Sequence, residues 1–190
     1  MNIVNEYILK TPLSVDDVLL LHIGDKVSLS GDIYCARDAT HHRMKENIDS
    51  GVELPISLKN ITIFYAGPSP TPPGKVIGSI GPTTSSRMDQ FMEYFLKQGL
   101  RATIGKGERN GEIKKLIEKY SSVYFITCGG AAAYLSSFVI HSEVIAYEDL
   151  GTQALIRLWV RDLPLLVAYD CHGGDLFESG KIQNRRIALF

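Results

Sequence analysis

The sequence predicts an α/β fold with a mixed, partly parallel sheet and a second, β-rich layer. Three observations carry this reading. From residue 76 to residue 138, strand-like apolar runs alternate with amphipathic helical segments, the pattern of βα units. Strand-like segments cluster before and after that block, which calls for a further β layer. The totals, 190 residues with 45% hydrophobic and 22% charged, suit one globular domain spanning residues 1–190 with a full core.

Taken in order, 7–9 reads as a short strand, and Ser14-x-x-Asp17 opens a short helix reaching Leu21. Val27, Leu29, Ile33 and Cys35 alternate with polar residues around Gly31, giving a strand or a bent strand pair. Residues 38–48 read as helix and 61–66 as strand. The Gly67-Pro68-Ser69-Pro70-Thr71-Pro72-Pro73-Gly74 run is a stiff loop. Strand 76–80 then precedes helix 86–98, in which Met88, Phe91, Met92, Phe95 and Leu96 form one apolar face. Strand 101–104 precedes helix 111–120, and strand 122–127 precedes helix 130–138. Strands near 143–147, 155–160 and 164–169 complete the chain.

Several classes are excluded by composition. Net charge is -1, so nothing points to nucleic acid or an anionic membrane as partner. No apolar run approaches the ~20 residues of a membrane helix. The N-terminus lacks a basic start followed by an apolar block, so no signal peptide is expected. Three scattered cysteines, 35, 128 and 171, fit a reducing cytoplasm better than a disulfide framework. Gly105-x-Gly107-x-x-x-Gly111 misses dinucleotide-loop spacing by one residue. The Gly67 to Lys75 stretch is too long and proline-filled for a phosphate loop. Adjacent His41 and His42 diverge by about 100° on a helix and cannot chelate one metal together.

The most informative segment is Gly81-Pro82-Thr83-Thr84-Ser85-Ser86-Arg87-Met88-Asp89. It puts four hydroxyls and one guanidinium where a helix begins, and unpaired N–H groups there favour an anion. A plain helix start, with Ser86 and Asp89 as a capping box, competes with that reading. Three strand-to-helix junctions carry glycine: Gly81, Gly105/Gly107 and Gly129/Gly130. If their strands are parallel, their loops share one edge, where α/β ligands bind. That edge would hold Thr83, Thr84, Arg87 and Lys106 and suit a small polyanion. Arg37 sits at a second strand-to-helix switch, where its plain reading is a surface pair with Asp38, and Asp38 could also cap the helix.

Gly24-Asp25-Lys26-Val27, Ala36-Arg37-Asp38-Ala39-x-His41, the proline-rich loop after Ala66, Gly81-Pro82-Thr83-Thr84-x-x-Arg87-Met88-Asp89, Gly105-Lys106-Gly107, Gly129-Gly130-Ala131-Ala132-Ala133 and Glu148-Asp149-Leu150-Gly151 occur in that order. Together they resemble the C-terminal domain, or separate β subunit, of the iron–sulfur-dependent class I fumarases and their L-tartrate dehydratase relatives. The resemblance covers almost the whole chain; its proline-rich loop and alanine-rich segment look more like fumarase. It implies a layered, swivelling β/β/α domain of a hydro-lyase acting in the cytoplasm. It implies a [4Fe–4S] cluster bound by an α subunit, with no metal ligand on this chain. The cluster's open iron would act as Lewis acid on the substrate.

Carried residue by residue, the resemblance makes Thr83 the catalytic base, with Thr84 able to exchange roles with it. It makes Arg37, Arg87 and Lys106 the cations that grip the substrate carboxylates. Partners would be the α subunit and fumarate or malate, with β–β contact in an α₂β₂ assembly. An unassisted threonine is a weak base, so a second group must take its proton. Two other readings compete: a hydro-lyase for L-tartrate or another dicarboxylate, and a non-catalytic anion-binding or assembly module.

Overall fold

The computed structural model describes residues 4–184. Seven strands form one mixed sheet: β1 (Glu6–Lys10), β2 (Lys26–Cys35), β3 (Thr62–Phe64), β4 (Ala102–Gly105), β5 (Val123–Ile126), β6 (Val139–Ala146) and β7 (Leu155–Tyr169). Six helices accompany them: α1 (Val15–Leu19), α2 (Asp38–Asp49), α3 (Asp89–Lys97), α4 (Gly111–Lys119), α5 (Ala132–Ser136) and α6 (Leu176–Asn184). Strands β2, β3, β4 and β5 pair in parallel in that order. Strand β7 runs antiparallel to both β5 and β2, so five strands close into a ring. β1 extends the sheet beside the first half of β2, and β6 beside the first half of β7.

The ring produces two cores. Val27, Leu29, Ile33, Phe64, Ile104, Phe125, Leu158 and Val167 fill its inside. Ile63, Tyr65 and Tyr124 point the other way, onto Met44 of α2, Phe91, Met92 and Phe95 of α3, and Ile113 and Ile117 of α4. Alternate residues of β3 to β5 thus serve different cores, which is why these short strands are buried on both faces. The helical face foreseen around Met88 to Leu96 is buried in full. Ser14 and Asp17 form the foreseen capping box: the serine hydroxyl accepts from Asp17 N at 3.1 Å, and the carboxylate accepts from Ser14 N at 2.8 Å. Among the described residues no helix is long and apolar enough to cross a membrane.

Two expectations are corrected and one helix is new. Residues 76–80 are not a strand; Ser69 N bonds Ser79 O, and Ile80 N bonds Ala132 O. The proline-rich loop doubles back on this stretch and takes up its hydrogen bonds, while Ile77 and Ile80 remain in the core. The two strands expected at 155–160 and 164–169 are one strand with a bulge. Leu29 faces Leu163 but Gly31 faces Val160, so Arg161 and Asp162 together oppose Ser30. Asp162 takes a left-handed φ of 54°, and the inward set switches from 156, 158, 160 to 163, 165, 167. Helix α6 carries too weak an apolar pattern to have been foreseen. Opposite the bulge, Gly31 has φ 108°, and a side chain there would meet Thr11 Oγ1 at 2.5 Å.

His41, buried on α2, stacks on Phe95 with ring centroids 5.1 Å apart. Its Nδ1 lies 2.8 Å from the Arg37 carbonyl, which can only accept, so Nδ1 carries the proton. Nε2 is buried without a hydrogen-bond partner. Burial lowers the His41 pKa from 6.5 to about 4. The unfolded chain therefore binds more protons than the folded one between these values. Stability is complete above about pH 6.5 and is lost as pH falls towards 4, by on the order of 3 kcal/mol. Denaturant unfolding at pH 7 and pH 4.5 checks this: the wild-type difference should exceed that of His41→Phe by about this amount.

Candidate functional site

Because β2, β3, β4 and β5 are parallel, the loops leaving their C-terminal ends all meet at one edge of the ring. Arg37 follows β2; Thr83, Thr84 and Arg87 lie on the long connection after β3; Lys106 follows β4; Cys128 and Gly129 follow β5. The expected shared edge therefore holds, although one of its three glycine junctions follows an irregular segment in place of a strand.

The threonines are inserted between two strand ends. Thr83 N donates to Tyr65 O at 2.7 Å, just past β3, and Pro82 bridges Ala66. Thr84 bridges Lys106 in parallel, just past β4, and Ser85 N donates to Lys106 O at 3.0 Å. Residues 82–85 thus continue the sheet as a short extra rung. Thr83 is half-buried, Thr84 is exposed, and the chain then turns through a 3₁₀ segment, Ser85–Met88, into α3.

The cations approach from both sides. Arg37 passes over Gly67, where a Cβ would lie 2.8 Å from its Cδ and 2.7 Å from Thr152 O; glycine is needed there for space. Its Nε is buried without a hydrogen-bond partner. Arg87, half-exposed, sets Nε 2.9 Å from Asp38 Oδ1. The Arg37–Asp38 surface pair is thus replaced by Asp38–Arg87, and Asp38 caps nothing: Arg37 is the residue before α2 and makes no side-chain cap. Lys106 is half-buried and lies against Gly129, where a Cβ would be 3.4 Å from its Cδ and 3.7 Å from its Nζ, ordinary contact. Three cations share the edge with one carboxylate that already engages one of them, an arrangement suited to a small dianion.

The Ser86/Asp89 capping box does not form; neither the 3₁₀ segment nor α3 has a side-chain cap. Asp89 is taken by Arg109, a residue that sequence reasoning missed. Arg109 Nε donates to Asp89 Oδ1 at 2.7 Å, and Nη2 lies 2.6 Å from the same oxygen. The guanidinium carbon lies 5.3 Å from the Tyr65 ring centroid and 5.2 Å from that of Tyr124. Asp89 Oδ2 also accepts from Asn110 N at 2.9 Å. This pair ties the loop after β4 to the start of α3. Nothing in the sequence marks Arg109 apart from other loop cations.

The three cysteines are free thiols in different surroundings. Cys35 is buried and donates its thiol to Ala66 O at 2.7 Å, and burial pushes its pKa up to about 12, so it stays protonated. Burial also raises Cys171, while Cys128 is exposed on the loop after β5. Among the described residues no group of three or more His, Cys, Asp or Glu is placed to hold a metal ion.

A family model described as the fumarase C-terminus matches residues 4–180. The anaerobic class I fumarate hydratase of Escherichia coli K12 is 37% identical over 168 residues, 87% of this chain and 30% of that protein. The mitochondrial fumarate hydratase 1 of Leishmania major is 38% identical over 156 residues, 81% of this chain and 28% of that protein. The L(+)-tartrate dehydratase subunit beta of E. coli K12 is 31% identical over 181 residues, 92% of this chain and 88% of that protein. The chain thus spans less than a third of the fumarate hydratases but most of the tartrate dehydratase subunit.

Truncating Asp89 leaves Arg109 buried and unpaired. Asp89→Ala should lower the free energy of unfolding by ~3–5 kcal/mol, read from denaturant midpoints at constant m-value. Exchange of the exposed pair Lys115–Glu112 for alanines should cost ~0–1 kcal/mol.

Proposed function

Since the chain belongs to the fumarase C-terminus family, we propose that it is the β subunit of a two-subunit hydro-lyase that interconverts fumarate and (S)-malate. The observation that carries this reading is the convergence of Arg37, Thr83, Thr84, Arg87 and Lys106 on one strand edge. Arg37 comes from the loop after β2, Lys106 from the loop after β4, Thr83 and Thr84 from the rung past β3 and β4, and Arg87 from the 3₁₀ segment that follows that rung. A four-carbon dicarboxylate needs such cations on both ends, with a proton acceptor between.

In this reading Arg37, Arg87 and Lys106 bind the two carboxylates and fix the carbon skeleton. In the dehydration of malate, Thr83, with its backbone pinned to Tyr65, takes the proton beside one carboxylate, and the malate hydroxyl leaves as water on a proton supplied by the partner. Negative charge builds on that carboxylate, where the cations already stand, so they stabilise it most in the transition state. Thr84 hydrogen-bonds substrate or exchanges roles with Thr83. The Thr83 hydroxyl must pass its proton on, and the group that takes it belongs to the partner. Exposed Thr84, Ser86 and Arg87 leave this edge open for that partner.

In this reading the [4Fe–4S] cluster sits on the partner α subunit. The assembly would be an α₂β₂ complex with β–β contact, working in the cytoplasm as a swivelling domain against its partner. A second reading keeps the site and changes the substrate to L-tartrate. It is supported by the 31% identity over 181 residues to the L(+)-tartrate dehydratase subunit beta of E. coli K12.

The test is anaerobic purification with the candidate α subunit, followed by fumarate loss by absorbance, with malate and L-tartrate as competing substrates. Turnover of fumarate and malate is expected. Turnover of L-tartrate alone would move the assignment to the second reading, and dicarboxylate binding without turnover would leave an anion-binding module. Thr83→Ala should lower kcat by ~10²–10⁴-fold with KM nearly unchanged. Arg87→Ala should raise KM by ~10–100-fold and lower kcat/KM at least as much. A wild-type rate in Thr83→Ala would reject it as the base.

A further inference from the structure

Between the threonine rung and Lys106 lies a set of buried hydroxyls. Ser85 is fully buried, and its Oγ lies 2.8 Å from Tyr124 Oη and 3.1 Å from Lys106 N. Tyr124 Oη is also 2.8 Å from the Gly107 carbonyl. A phenol has one proton, and a carbonyl oxygen has none. Two oxygens at 2.8 Å need a proton between them. The Gly107 contact therefore takes the Tyr124 proton, and the Ser85 contact takes the Ser85 proton. The direction is then fixed throughout: Lys106 N–H to Ser85 Oγ, Ser85 O–H to Tyr124 Oη, Tyr124 O–H to Gly107 C=O. A fourth bond, Ser85 N–H to Lys106 C=O at 3.0 Å, runs alongside it. Burial keeps Tyr124 neutral by raising its pKa, so its proton stays in place.

The consequence concerns the relative placement of two site groups. Lys106 and Thr84 stand on separate segments, and a parallel bridge joins them. The hydroxyl chain grips the backbone on both sides of Lys106, at its N–H and at the Gly107 carbonyl, and Ser85 directly follows Thr84. Space is equally restricted: a Cβ on Gly105 would lie 1.9 Å from Ser85 Oγ and 3.1 Å from Tyr65 Cδ2.

We propose that Ser85 and Tyr124 are positioning residues, which hold the Lys106–Gly107 turn in register with Thr83 and Thr84 through this one-directional chain. The inference rests on the hydro-lyase reading for its kinetic consequence, but its structural content stands apart from that reading. Neither residue is assigned contact with substrate; they act through the cation and the threonines.

The test uses the full chain in complex with its α subunit. Tyr124→Phe and Ser85→Ala each remove one link while keeping the side-chain scaffold. In each, kcat with fumarate should fall about tenfold, with a smaller change in KM. Hydrogen exchange at the Lys106 amide should quicken about tenfold relative to amides of β4. Tyr169→Phe is the control, since that buried phenol bonds Arg109 N at 3.0 Å and not the Lys106 turn. It should cost stability similarly while leaving kcat and Lys106 exchange as in wild type. Wild-type kcat with unchanged Lys106 exchange in both link variants would overturn the proposal, as would an equal kcat loss in Tyr169→Phe. If the wild-type complex turns over no dicarboxylate, the hydro-lyase reading fails, and Lys106 exchange alone decides the positioning chain.

Discussion

Strand β7 must satisfy hydrogen bonds on both edges along most of its length, and the rest of the fold is arranged around that demand. One edge takes β2; the other takes β6 along its first half and β5 along its last. Since β5 is the last of the four parallel strands and β2 the first, pairing with both closes the ring. Closure removes free edges from the central strands and confines them to β1 and β6. The bulge at Arg161 and Asp162 is the local cost, and Ser30 Oγ offsets it by accepting from Asp162 N at 2.9 Å. Without that extra residue, the inward side chains of one half of β7 would face outward.

Closure also decides where chemistry can gather. Parallel neighbours send every following loop to the same edge, so residues as far apart in sequence as Arg37 and Lys106 come to one edge of the sheet. The rung of residues 82–85 uses hydrogen-bonding positions past the ends of β3 and β4. A threonine there is held by its backbone, which leaves its hydroxyl free of any structural task. The same economy applies to Arg37, which lies over a glycine whose only demand is space.

Behind the edge, a second layer of polar groups holds these loops in place. Arg109 is buried between two tyrosine rings and paired with Asp89, and the Ser85–Tyr124 hydroxyls run beside it. Buried polar groups of this kind are tolerated when every partner is in place, and they define geometry more sharply than apolar packing does. The tartrate dehydratase and fumarate hydratase relatives share this chain's length of similarity at comparable identity.

The sequence by itself determined the elements whose signal is local. The apolar face of α3, the capping box of α1 and the alternation in β2 are periodicities of neighbours, and all three appear as expected. The ordered motifs identified the family and the residues of the edge. Where hydrogen bonds are settled at long range, local signal failed. Residues 76–80 have a strand's composition, but their backbone is taken by Ser69 and Ala132. The apolar alternation of β7 breaks at its bulge and reads as two strands until β2 is laid beside it. Only the tertiary structure could pair Asp38 with Arg87, give Asp89 to Arg109 in place of a helix cap, and link Lys106 to Ser85 and Tyr124. Charges and hydroxyls choose partners by distance in space, and that distance exists only once the ring has closed.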